Sequence, residues 1–438
     1  MIKLIKKLVP LSIKIKLLPI KHKLIDNPRK RKLFLHMQKK HQELLQAIKG
    51  KEKIKVVFFA IHKSVWKVDP VFKKMLDDPY FEPVILVCPD IQYGRERMLE
   101  ELRLCYSYFK DKDYPIINSY DEKNDKWLNL EEIKPDLIFF NNPYDLTRKE
   151  YYEDAYLNYL SCYVPYYYMA TDHAGDARTI YNTDFMLSMF KIFWPSDYHI
   201  QCYKKINLNH INGTSVGYPA SEFFLQNNND LVCPWKRQEY KKKKIIFAPH
   251  HTITDDVKSL SSFIFLSDFI KELAIKYSKE VQWSFKPHPF LKPKLYNHEK
   301  WGVERTDSYY NFWSDSDFSQ LDEGEYNELF YYSDAIIHDS SSFLAEYAFT
   351  GKPALYLMEP EKAKSVVNDF GRIFLAHYLV SNKREDIIKF IEGVIAGKDF
   401  ISADIQLKNY INHYYVERKP SESIIEEIKK SILVNHEK

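Results

Sequence analysis

The sequence predicts an α/β protein of two doubly wound, Rossmann-like domains facing a cleft. Three observations carry that expectation. At 438 residues the chain is too long for one ordinary domain, and suits two of roughly 180–200 residues. Runs of β-branched and aromatic residues alternate with stretches of helical spacing, as parallel βαβ units require. The alternation comes in two series, separated by the polar, turn-rich LQNNNDLVCPW (225–235). The expected division is a basic arm (1–53), a first domain (54–230) and a second domain (231–438).

The arm opens MIKLIKKLVPLSIKIKLLPIKHKLI. Lysines interrupt every apolar run, so none nears the roughly 18–20 residues that span a bilayer, and the uninterrupted core of a signal peptide is missing. Ile2, Leu4, Ile5, Leu8 and Leu11 mix with Lys3, Lys6 and Lys7 as in an interfacial helix, broken by Pro10 and Pro19. Residues 1–55 hold 17 Lys/Arg against three acids, a net +14, while the other 47 basic and 57 acidic residues give −10. A basic arm on an acidic body fits attachment to an anionic membrane surface, a solvated tail being the plainer reading. It weighs against a nucleic-acid binder, whose folded domain should itself be basic.

In the first series IKVVFFAI (54–61), EPVILVC (82–88), PDLIFFNN (135–142) and VPYYYMA (164–170) are expected strands, with VDPVFKKMLDD (68–78) as a helix. The second series runs through KKIIFAP (243–249), a helical stretch near 257–279, VQWSFKPHP (281–289), DAIIHD (334–339) and PALYLM (353–358). A last helix, near 419–434, is long enough to pack back across the domain junction. The five cysteines are scattered, without CxxC or metal-ligand spacing, and read as reduced, packed residues of an intracellular protein. No Walker-type phosphate loop or dinucleotide glycine motif occurs, and neither metal nor cofactor is expected.

In parallel sheets, ligands bind beyond the carboxyl ends of the strands. There the second series places His250, His251, Thr252 and Thr254, then Lys286 and His288 between Pro287 and Pro289, then Asp339 with Ser340, Ser341 and Ser342. The serines sit where a strand runs into a helix, whose free N–H groups and positive dipole end suit a phosphate. Simple helix capping by Ser340 or Ser341 is the plainer alternative. Together these groups suit a diphosphate. Glu346, one turn beyond Ser342, is placed to accept from a ribose, or is an ordinary solvated acid. In the first domain an apolar run leads into Thr171, Asp172, His173, Ala174 and Gly175. His173 is placed to act as a general base that Asp172 or Asp176 orients, a surface-loop histidine being the alternative. Gly217 and Pro219 make a tight turn near the junction. His62, Lys63 and Trp66 follow the first strand, on the acceptor side of the cleft.

These pieces, in this order over roughly residues 160–430, resemble the CDP-glycerol glycerophosphotransferase family of teichoic-acid synthesis. Asp339, Ser341, Ser342, Glu346, Tyr347, Ala348, Lys352 and Pro353 look like its TDYSSxxFDYAxxxKP block. FKPHP is similar to its R-x-HP motif, FAPHHT to its YAPTWR, VGYPASEFF to its GYPRND, and ATDHAGDA to its WHGxPxK. The chain departs from these at Asp172, Ser340 and His250-His251, which stand where the family has Trp, Tyr and Thr-Trp. The resemblance implies a GT-B-like transferase held peripherally at the cytoplasmic membrane face. It would carry a polyol phosphate from a CDP-activated donor to a membrane-linked glycan or polymer. His173 would be the catalytic base and His288 would act at the donor phosphates. A glycosyltransferase of the same fold, using a nucleotide-sugar in capsule or lipopolysaccharide synthesis, and an inactive membrane-associated module remain alternatives.

Overall fold

The computed structural model describes residues 27–172, 178–207, 210–226, 231–253, 259–398, 400 and 405–433. Two parallel sheets form its frame. The first contains β1 (Ile54–Ala60), β2 (Phe81–Val87), β3 (Ile116–Asn118), β4 (Leu137–Phe140), β5 (Leu160–Tyr163), β6 (Lys191–Trp194) and β7 (Gly213–Ser215). Its spatial order is β3-β2-β1-β4-β5-β6-β7. The second contains β8 (Lys243–Ala248), β9 (Val281–Phe285), β10 (Ser319–Leu321), β11 (Ala335–His338), β12 (Ala354–Tyr356) and β13 (Leu379–Val380), ordered β10-β9-β8-β11-β12-β13. Every pairing within both sheets is parallel. Each sheet is wound outward in both directions from its first strand. Each therefore has a switch point, between β1 and β4 and between β8 and β11, where a crevice opens at the carboxyl ends.

The period-2 alternation of the strands divides the cores. Along β1, Val56 and Phe58 enter one apolar cluster and Val57 and Phe59 the other. Phe58 stacks on Phe139 of β4 with ring centroids 4.5 Å apart. Along β8, Ile245 and Phe247 face one cluster while Ile246 and Ala248 face another.

Two sequence expectations need correction. VPYYYMA (164–170) is not a strand; the strand lies just before it, at Leu160–Tyr163. Pro165 has no N–H to give a ladder and Met169 takes φ +54°. The aromatic residues of this segment are buried all the same, because Tyr168 packs on Tyr218, Phe349 and Phe370 at the junction of the two halves. The long helix of the second half is confined to Phe263–Lys276. Within the basic arm, Asn27–Ala47 is one helix, docked on the first half. Its Met37 is fully buried, Arg29 pairs with Asp184 (Nη2 to Oδ1, 2.7 Å), and His41 lies 3.1 Å from the Ser188 carbonyl. Residues 1–26 lie outside the described residues.

The last helix, Pro420–Leu433, does cross back. Ile424, Ile428 and Ile432 complete the core beneath the first sheet. Lys74 meets Glu422 at 2.6 Å, and Lys191 meets Glu427 at 2.6 Å. The buried Glu222 carboxylate accepts from Ser421 N (2.6 Å) and Ser421 Oγ (2.8 Å) at the start of this helix. Gly217, in the turn expected near the junction, lies against this returning segment. Its φ is +87°, and a Cβ there would stand 2.9 Å from Pro420 and 3.0 Å from Tyr414.

Ile428→Ala should cost about 2–5 kcal/mol, the usual range for emptying a buried isoleucine site. Urea unfolding should show a lower midpoint, whereas the exposed Lys430→Ala should stay within about 0.5 kcal/mol of the parent.

Candidate anion-binding site

At the switch point of the second sheet, three loops meet. The chain leaving β8 carries His250 and His251, the chain leaving β9 carries Lys286 and His288, and the chain leaving β11 carries Asp339 and the serines. The sheet ladder extends into the loops, with Lys286 N donating to the Phe247 carbonyl (2.8 Å) and His288 N to that of Pro249 (3.0 Å).

The imidazoles form one cluster. Ring centroids are 4.3 Å apart for His250 and His251, 4.2 Å for His251 and His288, and 5.2 Å for His250 and His288. One ligand atom from each lies within 4.8 Å of the others, close enough to share an ion. Their hydrogen bonds decide its sign. Nδ1 of His288 accepts from Phe290 N (3.1 Å), Nδ1 of His251 from Lys294 Nζ (2.8 Å), and Nδ1 of His250 from Thr252 N (3.3 Å). A neutral imidazole accepting at Nδ1 carries its proton on Nε2. In that tautomer His288 carries its donor N–H at Nε2, a group that suits an anion. The nearby ammonium groups reinforce this. Lys286 is 5% exposed and anchored on the Gly324 carbonyl (2.7 Å), and burial lowers its pKa to about 8. Burial, helped by His251, Lys294 and Lys286, lowers His288 to about 3.

Asp339 organises the site without facing it. It is fully buried; Oδ1 accepts from His250 N (2.5 Å), and Oδ2 from Ser262 N (2.8 Å) and Ser261 Oγ (3.1 Å). Burial nevertheless raises its pKa to about 7. Ser340 is the N-cap residue of the helix Ser341–Glu346, yet its hydroxyl makes no capping bond. Ser341 and Ser342 open that helix, half-buried. Thr252 Oγ1 lies 2.9 Å from His250 Nδ1 and accepts from Leu260 N at 2.9 Å.

Glu346 is not a solvated helix acid. It is buried, accepts from the Tyr326 hydroxyl, and Tyr326 in turn accepts from Lys67, which comes from the loop after β1. Burial raises the Glu346 pKa, while Lys67 and Tyr326 oppose the rise. On the first half, His62 stands 3.6 Å from Asp90 and 3.4 Å from Glu101. Asp172 N donates to the Val366 carbonyl (3.0 Å), and its carboxylate receives Asn368 Nδ2 at 3.4 Å. The chain is thus pinned to the second half just before His173. His173, Gly175, Asp176 and Thr254 lie outside the described residues.

The structure thus brings together His250, Thr252, Lys286, His288 and, through its backbone bonds, Asp339. It places Glu346 at the seam, and His62 and Asp172 on the first half. Lys67 and Tyr326 carry no sequence signal. Lys294 had a faint one, a second lysine shortly after FKPHP.

Residues 165–429 match the family described as CDP-Glycerol:Poly(glycerophosphate) glycerophosphotransferase. No curated protein matches the chain in sequence. Among solved structures, the wall teichoic acid polymerase TagF is similar at TM-score 0.52 and 14% identity, over 98% of this chain and 100% of that one. A Listeria monocytogenes structure assigned as a UDP-N-acetylglucosamine 2-epimerase is similar at 0.54 and 12%, over 87% and 97%. The S. aureus MnaA co-structure with UDP is similar at 0.53 and 14%, over 87% and 97%. Such distant likeness establishes the fold, the two-domain GT-B arrangement.

Lys286 is cationic below its pKa of about 8 and neutral above it. Inorganic pyrophosphate should therefore bind more weakly as pH rises from 7 to 9, by roughly tenfold for one lost charge-assisted bond. Calorimetric titration of the parent and of Lys286→Met should show that this loss needs the lysine; an equal fall in both would refute the assignment.

Proposed function

The chain belongs to the CDP-glycerol:poly(glycerophosphate) glycerophosphotransferase family, and on that premise we propose that it transfers glycerol phosphate or a similar polyol phosphate from a CDP-activated donor to a hydroxyl of a cell-surface glycan or teichoic-acid-like acceptor. The observation that carries this reading is the histidine cluster. It gathers three imidazoles, His288 with its donor N–H at Nε2, near Lys286 at the carboxyl edge of the second sheet and inside the matched region.

In this reading the donor diphosphate lies over His250, His288 and the serine turn. An acceptor oxygen attacks the β-phosphorus as His173 takes its proton. The bond from that phosphorus to the bridging oxygen breaks, and CMP leaves with the electron pair. His288 Nε2–H, Lys286 and the N–H groups at Ser341 and Ser342 meet the charge gathering on the phosphate oxygens. Asp339 is a positioning residue, holding the His250 backbone. Glu346 takes the ribose at the seam, where the Tyr326 hydroxyl, itself bonded by Lys67, already holds its carboxylate.

The arm supports peripheral attachment. Among the described residues no helix is long and apolar enough to cross a membrane. Arg31, Lys32 and Lys39 are exposed on the docked helix that follows the lysine-rich first 26 residues. Anionic lipid attracts such residues by about 1 kcal/mol each.

Nucleotide release tests the chemistry. CMP should appear from CDP-glycerol or CDP-ribitol with a membrane acceptor, and should fall about 10²–10³-fold in both His173→Ala and His288→Ala. Release only from a nucleotide-sugar would replace this reading with glycosyl transfer. For the arm, vesicles containing phosphatidylglycerol should co-sediment the full chain at low salt but not a chain lacking residues 1–26; equal sedimentation of both would discard the arm as anchor.

A further inference from the structure

The loop after β1 carries Lys67 across the seam. Its ammonium donates to the Tyr326 hydroxyl of the second half and stands 4.3 Å from the centroid of the Tyr326 ring. Lys286 reaches the same ring from within the second half, 6.0 Å from its centroid. That ring also meets Phe343, the residue after Ser342, edge-on at 4.9 Å. One aromatic side chain therefore gathers the buried lysine of the anion site, the helix that the serines open and a cation lent by the first half. The two lysines feel each other. Burial is the main cause of the low Lys286 pKa, and repulsion by Lys67 adds to it, while Asp322 and Glu325 oppose it.

Bringing like charges together costs free energy, and the acids nearby answer only part of it. Glu346 answers Lys67 through the shared phenol. Lys67 nevertheless keeps donors to spare. An ammonium has three N–H groups, and among the described residues the Tyr326 hydroxyl is the one acceptor that Lys67 meets. Its side chain is half-buried, whereas Lys286 is buried. A ligand that uses both lysines must be anionic and must carry oxygens on more than one centre. A diphosphate meets both conditions, since each of its phosphorus atoms offers charged oxygens.

We propose that Lys67 is a donor-site residue supplied by the first half, giving its spare N–H groups to the diphosphate that Lys286 and His288 hold from the second. The inference rests on the transferase reading above and adds to its donor site a residue from across the seam. A bound diphosphate then ties the halves together, because neither half alone carries both lysines.

Calorimetric titration of the full chain with inorganic pyrophosphate at neutral pH tests this. Lys67→Met should bind it about tenfold more weakly, the scale of one lost charge-assisted bond, while Lys67→Arg stays within about threefold of the parent. The gap between parent and Lys67→Met should narrow as salt rises from about 0.05 to 0.5 M, which a purely structural lysine would not produce. Tyr326→Phe removes the phenol oxygen but keeps the lysine's charge, so its affinity should also stay within about threefold of the parent. Unfolding midpoints check that every variant is folded. An equal loss in Tyr326→Phe and Lys67→Met would make Lys67 a strut of the seam and overturn the proposal, as would unchanged affinity in Lys67→Met. A parent that binds no pyrophosphate overturns it too. If the parent binds pyrophosphate but releases no CMP from any CDP-polyol, the transferase reading fails, while the comparison of variants still decides the role of Lys67.

Discussion

A single buried carboxylate sets the geometry of the second sheet's edge. Asp339 receives His250 N, Ser262 N and Ser261 Oγ on its two oxygens, at 2.5–3.1 Å. Those bonds join the end of β11, the loop after β8 and the start of the helix Phe263–Lys276. Burial of the carboxylate is costly, as its raised pKa records. The three donors offset that cost only while the loops keep their places, so the charge acts as a registration point. His250, and through tilted and edge-on ring contacts His251 and His288, inherit their positions from it.

The halves are coupled by more than one covalent crossing. The helix Pro420–Leu433 belongs to the second half in sequence and to the first in packing, since its isoleucines fill the core under β1 and β2. Tyr168 and Tyr218 do the reverse, sitting in the apolar cluster of the second sheet. Close contact there leaves little latitude: a Cβ on Gly371 would lie 2.2 Å from the Ala170 carbonyl. The polar bridge from Lys67 through Tyr326 to Glu346 completes the seam.

The two switch points differ chemically although their strand orders share one plan. The second sheet's edge carries three imidazoles and the buried Lys286. The first sheet's edge keeps its histidine between carboxylates.

Local patterns determined much of this protein. The strands IKVVFFA, KKIIFA, VQWSF and AIIH are legible because each is a short, continuously apolar run, and burial on both faces demands that composition. The convergence of His250, Lys286, His288 and Asp339 follows once those strands are parallel, because their carboxyl ends then share one edge. The family resemblance was likewise carried by short motifs that keep their order along the chain. Where local pattern and tertiary packing pulled apart, packing won. VPYYYMA has a strand's composition but buries its aromatic rings as a loop between the halves, and the lysine-rich helix Asn27–Ala47 docks through Met37 and His41. The Asp339 bonds, the choice of Nδ1 as acceptor in three imidazoles and the Lys67–Tyr326–Glu346 bridge have no sequence signal. Each depends on atoms brought together from distant parts of the chain, and only the closed fold fixes those distances.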